Sequence, residues 1–331
     1  MNSFDLIKKA QKSALAGNIL DRKSIIALLE IDPQSKECEE LGKAAREAAS
    51  VICKDRAYLW AAIGLDYKAC SMNCRYCSLG EKWGIVKEEN EFTEEEVMAL
   101  VKKFVTEETR YIVLRTTQFY SLDQLIALAS RIKSNIQGEY ELGLNAGEFN
   151  TEIAKKIADA GVSFVYHTLR LREGVDTGFA PTERLATLKA VANSPLKLVS
   201  LIEPLGIEHT NEEIADAFLT AMKYKAVVTG CMERIPVNGT PLGALPAVSE
   251  RRLAQVIAVT RLAAGFHAPD ICVHRASELA IEWGANVAVV EKGAIPRDIC
   301  YSSKIEWQGF GSEKAKEWFE SKGYHVFSQE E

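Results

Sequence analysis

Residues 58–66, Tyr-Leu-Trp-Ala-Ala-Ile-Gly-Leu-Asp, lead into a loop that carries Cys70-Ser-Met-Asn-Cys74-Arg-Tyr-Cys77. An apolar run of this length, rich in aromatic and branched side chains, predicts a buried strand. The loop therefore sits at the carboxyl end of a strand. Beyond it the same unit recurs. Apolar runs at 111–114, 140–144, 163–167, 196–202, 226–228, 271–274 and 286–290 complete eight strand candidates. Between them 122–132, 151–160, 182–191, 211–222, 250–264 and 277–283 carry helical periodicity. Thr93 opens a further helix as an N-cap with acidic residues in the first turn. Strand and helix alternating in this way predict right-handed crossover units and a parallel sheet. Eight units predict an α/β fold, a (β/α)8 TIM-type barrel. The alternative is an open doubly wound sheet, which a GxGxxG turn after the first strand would favour; the sequence has none there.

Outward from this core, residues 1–54 read as an N-terminal helical segment, 55–308 as the barrel, and 309–331 as a closing helix with a short strand at Lys322-Gly-Tyr-His-Val-Phe327. The chain has 331 residues and a formal net charge of −6, without the basic excess of a nucleic-acid binder. No run of about 18 apolar residues predicts a membrane span. The first residues lack the apolar stretch of a secretory signal, so a cytoplasmic location is expected. Eight cysteines in so long a chain point to metal or redox chemistry rather than a disulfide scaffold.

Cys70, Cys74 and Cys77 form a C-x3-C-x2-C run. Three thiolates within eight residues wrap one side of an iron–sulfur cube and leave one iron without a protein ligand. That iron can chelate a small molecule through an amine and a carboxylate. A structural zinc site calls for a fourth Cys or His nearby, and none follows.

This run, with an aromatic residue before its last cysteine, resembles the signature of the radical S-adenosylmethionine (SAM) superfamily. The resemblance implies a [4Fe–4S] cluster on Cys70, Cys74 and Cys77, SAM on the fourth iron, and Tyr76 near the adenine. It also implies reductive cleavage of SAM to a 5′-deoxyadenosyl radical, fed by an electron donor of the ferredoxin or flavodoxin type. The substrate is a small molecule or a group borne on a carrier protein. Val237-Asn-Gly-Thr-Pro-Leu242, Gly284-Ala-Asn286 and the helical N-terminal segment are similar to the biotin synthase-like group. That group includes methylornithine synthase, the radical-SAM maturase of [FeFe]-hydrogenase and the archaeal-type two-subunit lipoyl synthases. Thr182-Glu-Arg184-Leu185 matches a segment where the group places an arginine on the SAM carboxylate, a role a guanidinium fork suits. Many members carry a Gly-Gly-Glu-like element after the second strand. This chain has Arg115-Thr116-Thr117-Gln118, so the Thr116 and Thr117 hydroxyls are the candidate acceptors for the SAM amino group. His167 and Thr168 end the fourth strand and are further candidates at the mouth.

Biotin synthase holds a second cluster through cysteines on its second, third and fifth strands. The matching stretches 111–117, 140–147 and 196–206 contain no cysteine, which argues against a true biotin synthase. Cys231, Cys272 and Cys300 lie on or after the sixth, seventh and eighth strand candidates. Two readings stand side by side: an auxiliary iron–sulfur cluster supporting sulfur insertion, or buried structural thiols with rearrangement or maturation chemistry at one cluster. Glu203, Glu233, Arg234, His274, Arg275 and Glu291 lie near strand ends; the carboxylates hint at an amine-bearing substrate.

Overall fold

The computed structural model describes residues 2–293 and 310–329. Eight parallel strands close on themselves. β1 (Arg56–Gly64), β2 (Tyr111–Arg115), β3 (Glu141–Asn145), β4 (Phe164–Tyr166), β5 (Lys197–Val199), β6 (Ala226–Glu233), β7 (Asp270–His274) and β8 (Val287–Gly293) pair in sequence order. β8 returns to β1, with Tyr58 opposite Val287 and Gly64 opposite Gly293. Every neighbouring pair is parallel. The expected (β/α)8 barrel is the fold. Each strand candidate coincides with a barrel strand. The sixth runs on to Glu233, past Val228, where the apolar reading breaks off.

Side chains of a strand alternate between its two faces. Trp60, Tyr111, Phe164, Val199, Val228, Cys272 and Val287 fill the inside of the barrel, with Ala62, Val113, Tyr166, Leu201 and Val289 beyond them. The rings of Trp60, Tyr111, Phe164 and Tyr166 meet edge to face, with centroids 5.6–5.9 Å apart. Two residues farther along the strands stand Arg115, Glu203, His274 and Glu291, so the inner surface changes from apolar floor to charged mouth.

The helices are α1 (Ser3–Leu15), α2 (Arg22–Leu29), α3 (Lys36–Ile52), α4 (Glu94–Thr106), α5 (Leu122–Asn135), α6 (Thr151–Asp159), α7 (Pro181–Ala192), α8 (Asn211–Lys223), α9 (Glu250–Ala264), α10 (Glu278–Glu282) and α11 (Ser312–Ser321). Thr93 caps α4 in a reciprocal capping box with Glu96. α1, α2 and α3 pack over α9, whose residues from Leu253 to Ala264 are all buried. The fully buried Arg261 donates to the carbonyls of Gly284 and Pro269 and to the Asn286 side chain. Asn286 in turn bonds the Ile271 amide, the Arg56 carbonyl and Asp270, joining the starts of β1, β7 and β8. At the C-terminus, His325–Val326 pairs with Arg56 and Ala57 at the start of β1.

Candidate active site

The cysteine loop leaves β1 through Asp66 and lies across the mouth. Its shape is set by bonds to two other loops. Asn73 adopts a left-handed conformation with φ 46°, and its side chain accepts from the Lys82 amide at 2.9 Å. Arg75 N–H donates to the Asp176 carbonyl, and the Arg75 guanidinium pairs with the Asp176 carboxylate at 2.8 Å. The Gly178 amide donates to the Met72 carbonyl at 2.9 Å. A Cβ at residue 178 would stand 2.5 Å from that oxygen, so glycine permits the approach. From the β6 side, Leu242 N–H donates to the Arg75 carbonyl. Cys70, Cys74 and Cys77 are free thiols, each partly exposed. Burial raises the Cys70 thiol and pushes that of Cys74 up to about 12. Among the described residues no three His, Cys, Asp or Glu side chains converge as a single metal ion requires. Three thiols spread along a turning loop suit the separate corners of an iron–sulfur cube instead.

Around the loop stands a band of charge. Tyr76 is half-buried, its buried hydroxyl without a hydrogen-bond partner, with Arg170, Cys74, Glu173 and Glu203 as its electrostatic neighbours. Tyr76 and Cys77 line a cavity with Ile235 and Val237. Arg170 is held loosely, 3.5 Å from Glu173 and 3.6 Å from Glu203. Arg184 is held tightly: its Nη2 donates to the Thr168 carbonyl at 2.8 Å and its Nη1 pairs with Glu148 at 2.8 Å. Below lies the cavity inside the barrel, walled by Trp60, Ala62, Val113, Leu201 and Val289, with Arg115, Asn145, Glu203, His274 and Glu291 as its polar groups. Arg115 pairs with Glu291 at 2.5 Å, both buried.

Residues 66–170, from the end of β1 to Arg170, match the family profile of the radical SAM superfamily. In sequence the chain is similar to biotin synthases. It is 27% identical over 206 residues to biotin synthase of Buchnera aphidicola subsp. Schizaphis graminum, which covers 59% of each chain. With biotin synthase of Persephonella marina it shares 22% over 273 residues, 78% of each. The chain thus spans about three fifths of the Buchnera relative it matches. Methylornithine synthase (PylB) has the same fold, with a TM-score of 0.79 at 15% identity over 97% of this chain and 98% of that one. The [FeFe]-hydrogenase maturase HydG from Carboxydothermus hydrogenoformans gives 0.74 at 15% identity over 97% and 79%.

The expected site residues fall into three sets. Cys70, Cys74, Cys77 and Tyr76 share the loop. Thr116, Thr168 and Arg184 gather beside it, but their side chains differ in freedom. The Thr116 hydroxyl is buried without a hydrogen-bond partner, whereas that of Thr117 is spent on Asp66, which also accepts the Thr117 amide at 2.7 Å. Thr168 donates its hydroxyl to the Leu201 carbonyl and offers its own carbonyl to Arg184. His167 is buried beside Arg184 and Arg170. Burial first, then these cations, holds its pKa well below the ordinary imidazole value.

Cys231 and Cys272 do not come together. Cys272 is opposite Gly230 and Cys231 opposite Val273, so the two thiols lie one residue out of step. Cys231 faces the helix layer and Cys272 the barrel interior, both with no exposed surface. Adjacent strands bring their backbones close while the pleat sends the side chains apart. One cluster cannot take both as ligands. Cys300 lies outside the described residues. Arg234 is structural: it is clamped by Glu208 at 2.7 Å and by the carbonyls of Leu242, Leu245 and Pro246. The sequence reading missed Asp66, Glu148, Arg170 and Glu173. Glu148 meets the Gln118 amide and Arg184. An acid from the loop after β3 thus stands next to the position where the family's Gly-Gly-Glu element would put one.

Proposed function

We propose that the chain reductively cleaves SAM at a [4Fe–4S] cluster held by Cys70, Cys74 and Cys77 and abstracts hydrogen from an unactivated carbon of a substrate inside the barrel. When bound, the cluster and SAM supply a 5′-deoxyadenosyl radical. The chain's part is to bind, orient and exclude water. Tyr76, Ile235 and Val237 offer an apolar seat for the adenine beside Cys77. Arg184, with Arg170 nearer the thiols, offers guanidinium forks to the SAM carboxylate. The Thr116 hydroxyl and Glu148 are acceptors for its ammonium. The carrying observation is that the three-thiol loop, clamped from the loops after β4 and β6, lines a cavity that shares Met232 and His274 with the barrel cavity, which has an apolar floor and a charged rim.

Of the two outcomes for the substrate radical, the structure favours rearrangement, fragmentation or cofactor maturation at a single cluster over sulfur insertion. The supporting observation is the opposite facing of Cys231 and Cys272. The electron arrives from a ferredoxin- or flavodoxin-type donor, and the substrate is free or carried on a protein.

The test is anaerobic reconstitution followed by dithionite and SAM. The expected products are 5′-deoxyadenosine and methionine, and Cys74→Ala protein yields neither while losing iron. Protein that binds zinc in place of iron, or fully loaded protein that makes no 5′-deoxyadenosine, would overturn the assignment.

A further inference from the structure

The inner cavity holds a carboxylate whose bonding is half finished. Glu291, near the end of β8, is 5% exposed and lines the cavity. Its Oε1 accepts from Arg115 at 2.5 Å and lies 3.8 Å from His274 Nε2. Its Oε2 is buried and has no hydrogen-bond partner. A buried carboxylate oxygen left unpaired is costly, and such atoms are rare in native structures unless a ligand or water completes them. The other groups around the cavity sharpen what that ligand is. Glu203 is a second carboxylate lining the cavity from the β5 side, and its Oε2 already accepts from the Tyr166 hydroxyl. Arg115 is the one guanidinium among the described residues lining the cavity, and its Nη1 donates to Glu291. An anion entering here would meet two carboxylates, whereas an N–H donor would meet an acceptor with its lone pairs free. Behind these groups the wall is Trp60, Ala62, Val113, Leu201 and Val289, which suits a hydrocarbon chain and offers it no polar partner.

We infer that Glu291 accepts a hydrogen bond from the substrate, and that the substrate presents an amine or amide N–H at the end of an apolar chain within the barrel. This rests on the proposal that the barrel cavity receives the molecule attacked by the SAM-derived radical.

The probes are hexylamine, N-hexylacetamide and hexanoate, titrated by calorimetry into anaerobically reconstituted protein with saturating SAM, so that SAM's own amine and hydroxyls are already placed. Wild-type protein binds the amine and the amide at least about tenfold more tightly than hexanoate, the discrimination expected of a hydrogen bond to a charged group. In Glu291→Gln protein the side-chain oxygen stays with Arg115 and its NH2 group turns to the cavity. Hexylamine affinity then falls about tenfold or more and the preference over hexanoate closes. Ala62→Leu fills the same cavity from the neighbouring strand, opposite Glu291, and lowers hexylamine binding, which serves should Glu291→Gln fail to fold. Hexanoate binding as tightly as hexylamine to wild-type protein overturns the inference. So does hexylamine binding that is unchanged in either variant. 5′-Deoxyadenosine formation by the same preparation separates the two levels. If it forms while the amine shows no preference, the substrate class alone is wrong; if it does not form, the underlying reading is wrong.

Discussion

His167 shows how a residue at the site acts on stability through its surroundings. It is neutral in the folded chain because burial and the adjacent Arg184 and Arg170 disfavour a further cation. In the unfolded chain its pKa returns to about 6.5. Below that pH the unfolded state takes up a proton that the folded state refuses, so stability present above pH 6.5 is lost as the pH falls toward the lowered folded value. The loss at pH 5.5 is about 1.4 kcal/mol from this group. His167→Gln protein therefore loses less stability between pH 7.5 and 5.5 than wild type, by about that amount, read as urea midpoints at both values. Identical pH dependence in the two proteins would show that His167 is not held neutral. Asp66 is shifted the opposite way, its carboxyl raised by burial and only partly brought back by Thr117. Neither environment was legible beforehand. His167 could be named from its place at a strand end, but the guanidiniums that press on it come from residues three and 17 positions later, brought back by a loop and by α7.

At the level of the element, the cysteine loop and strands β6 and β7 make separate statements. The loop's spacing was readable because all three cysteines fall within eight residues of one loop. Its clamps were not, since Asp176, Gly178 and Leu242 reach it from two other crossover loops. Gly178→Ala places a methyl group 2.5 Å from the Met72 carbonyl and must displace the loop, at a cost of about 1–3 kcal/mol. The expected result is less iron per chain after reconstitution, with far-UV circular dichroism unchanged. Full wild-type iron in that variant would mean the clamp does not position the thiols. For β6 and β7 the one-residue offset decides. Cys231→Ala and Cys272→Ala proteins are each expected to keep the wild-type iron content, and a loss of about four irons per chain in either would restore the auxiliary cluster.

Across the whole molecule, the N-terminal helices are part of the barrel's support. α9 is buried along nearly its full length because the barrel covers one side and α1, α2 and α3 the other. This is why its sequence shows little of the one-sided pattern of a surface helix. Gly42 on α3 lies against the Trp283 ring, where a Cβ would stand 2.4 Å from the nearest ring carbon. Gly42→Leu should cost about 1–3 kcal/mol by overpacking and lower Tm by about 1–4 °C in a thermal melt. An unchanged Tm would mean that the helical layer gives way without loss.

The order of strands and helices, the barrel they close into and the identity of the three-thiol loop were all present in the linear sequence. Each depends on patterns that repeat or cluster over a few residues: alternating apolar runs, helical stripes, ligand spacing. Which face a cysteine presents, which arginine is tightly held, and which carboxylate keeps an open oxygen were decided by tertiary structure alone. Those properties depend on the pleat of neighbouring strands and on charges brought together from distant loops, and local sequence carries no record of either.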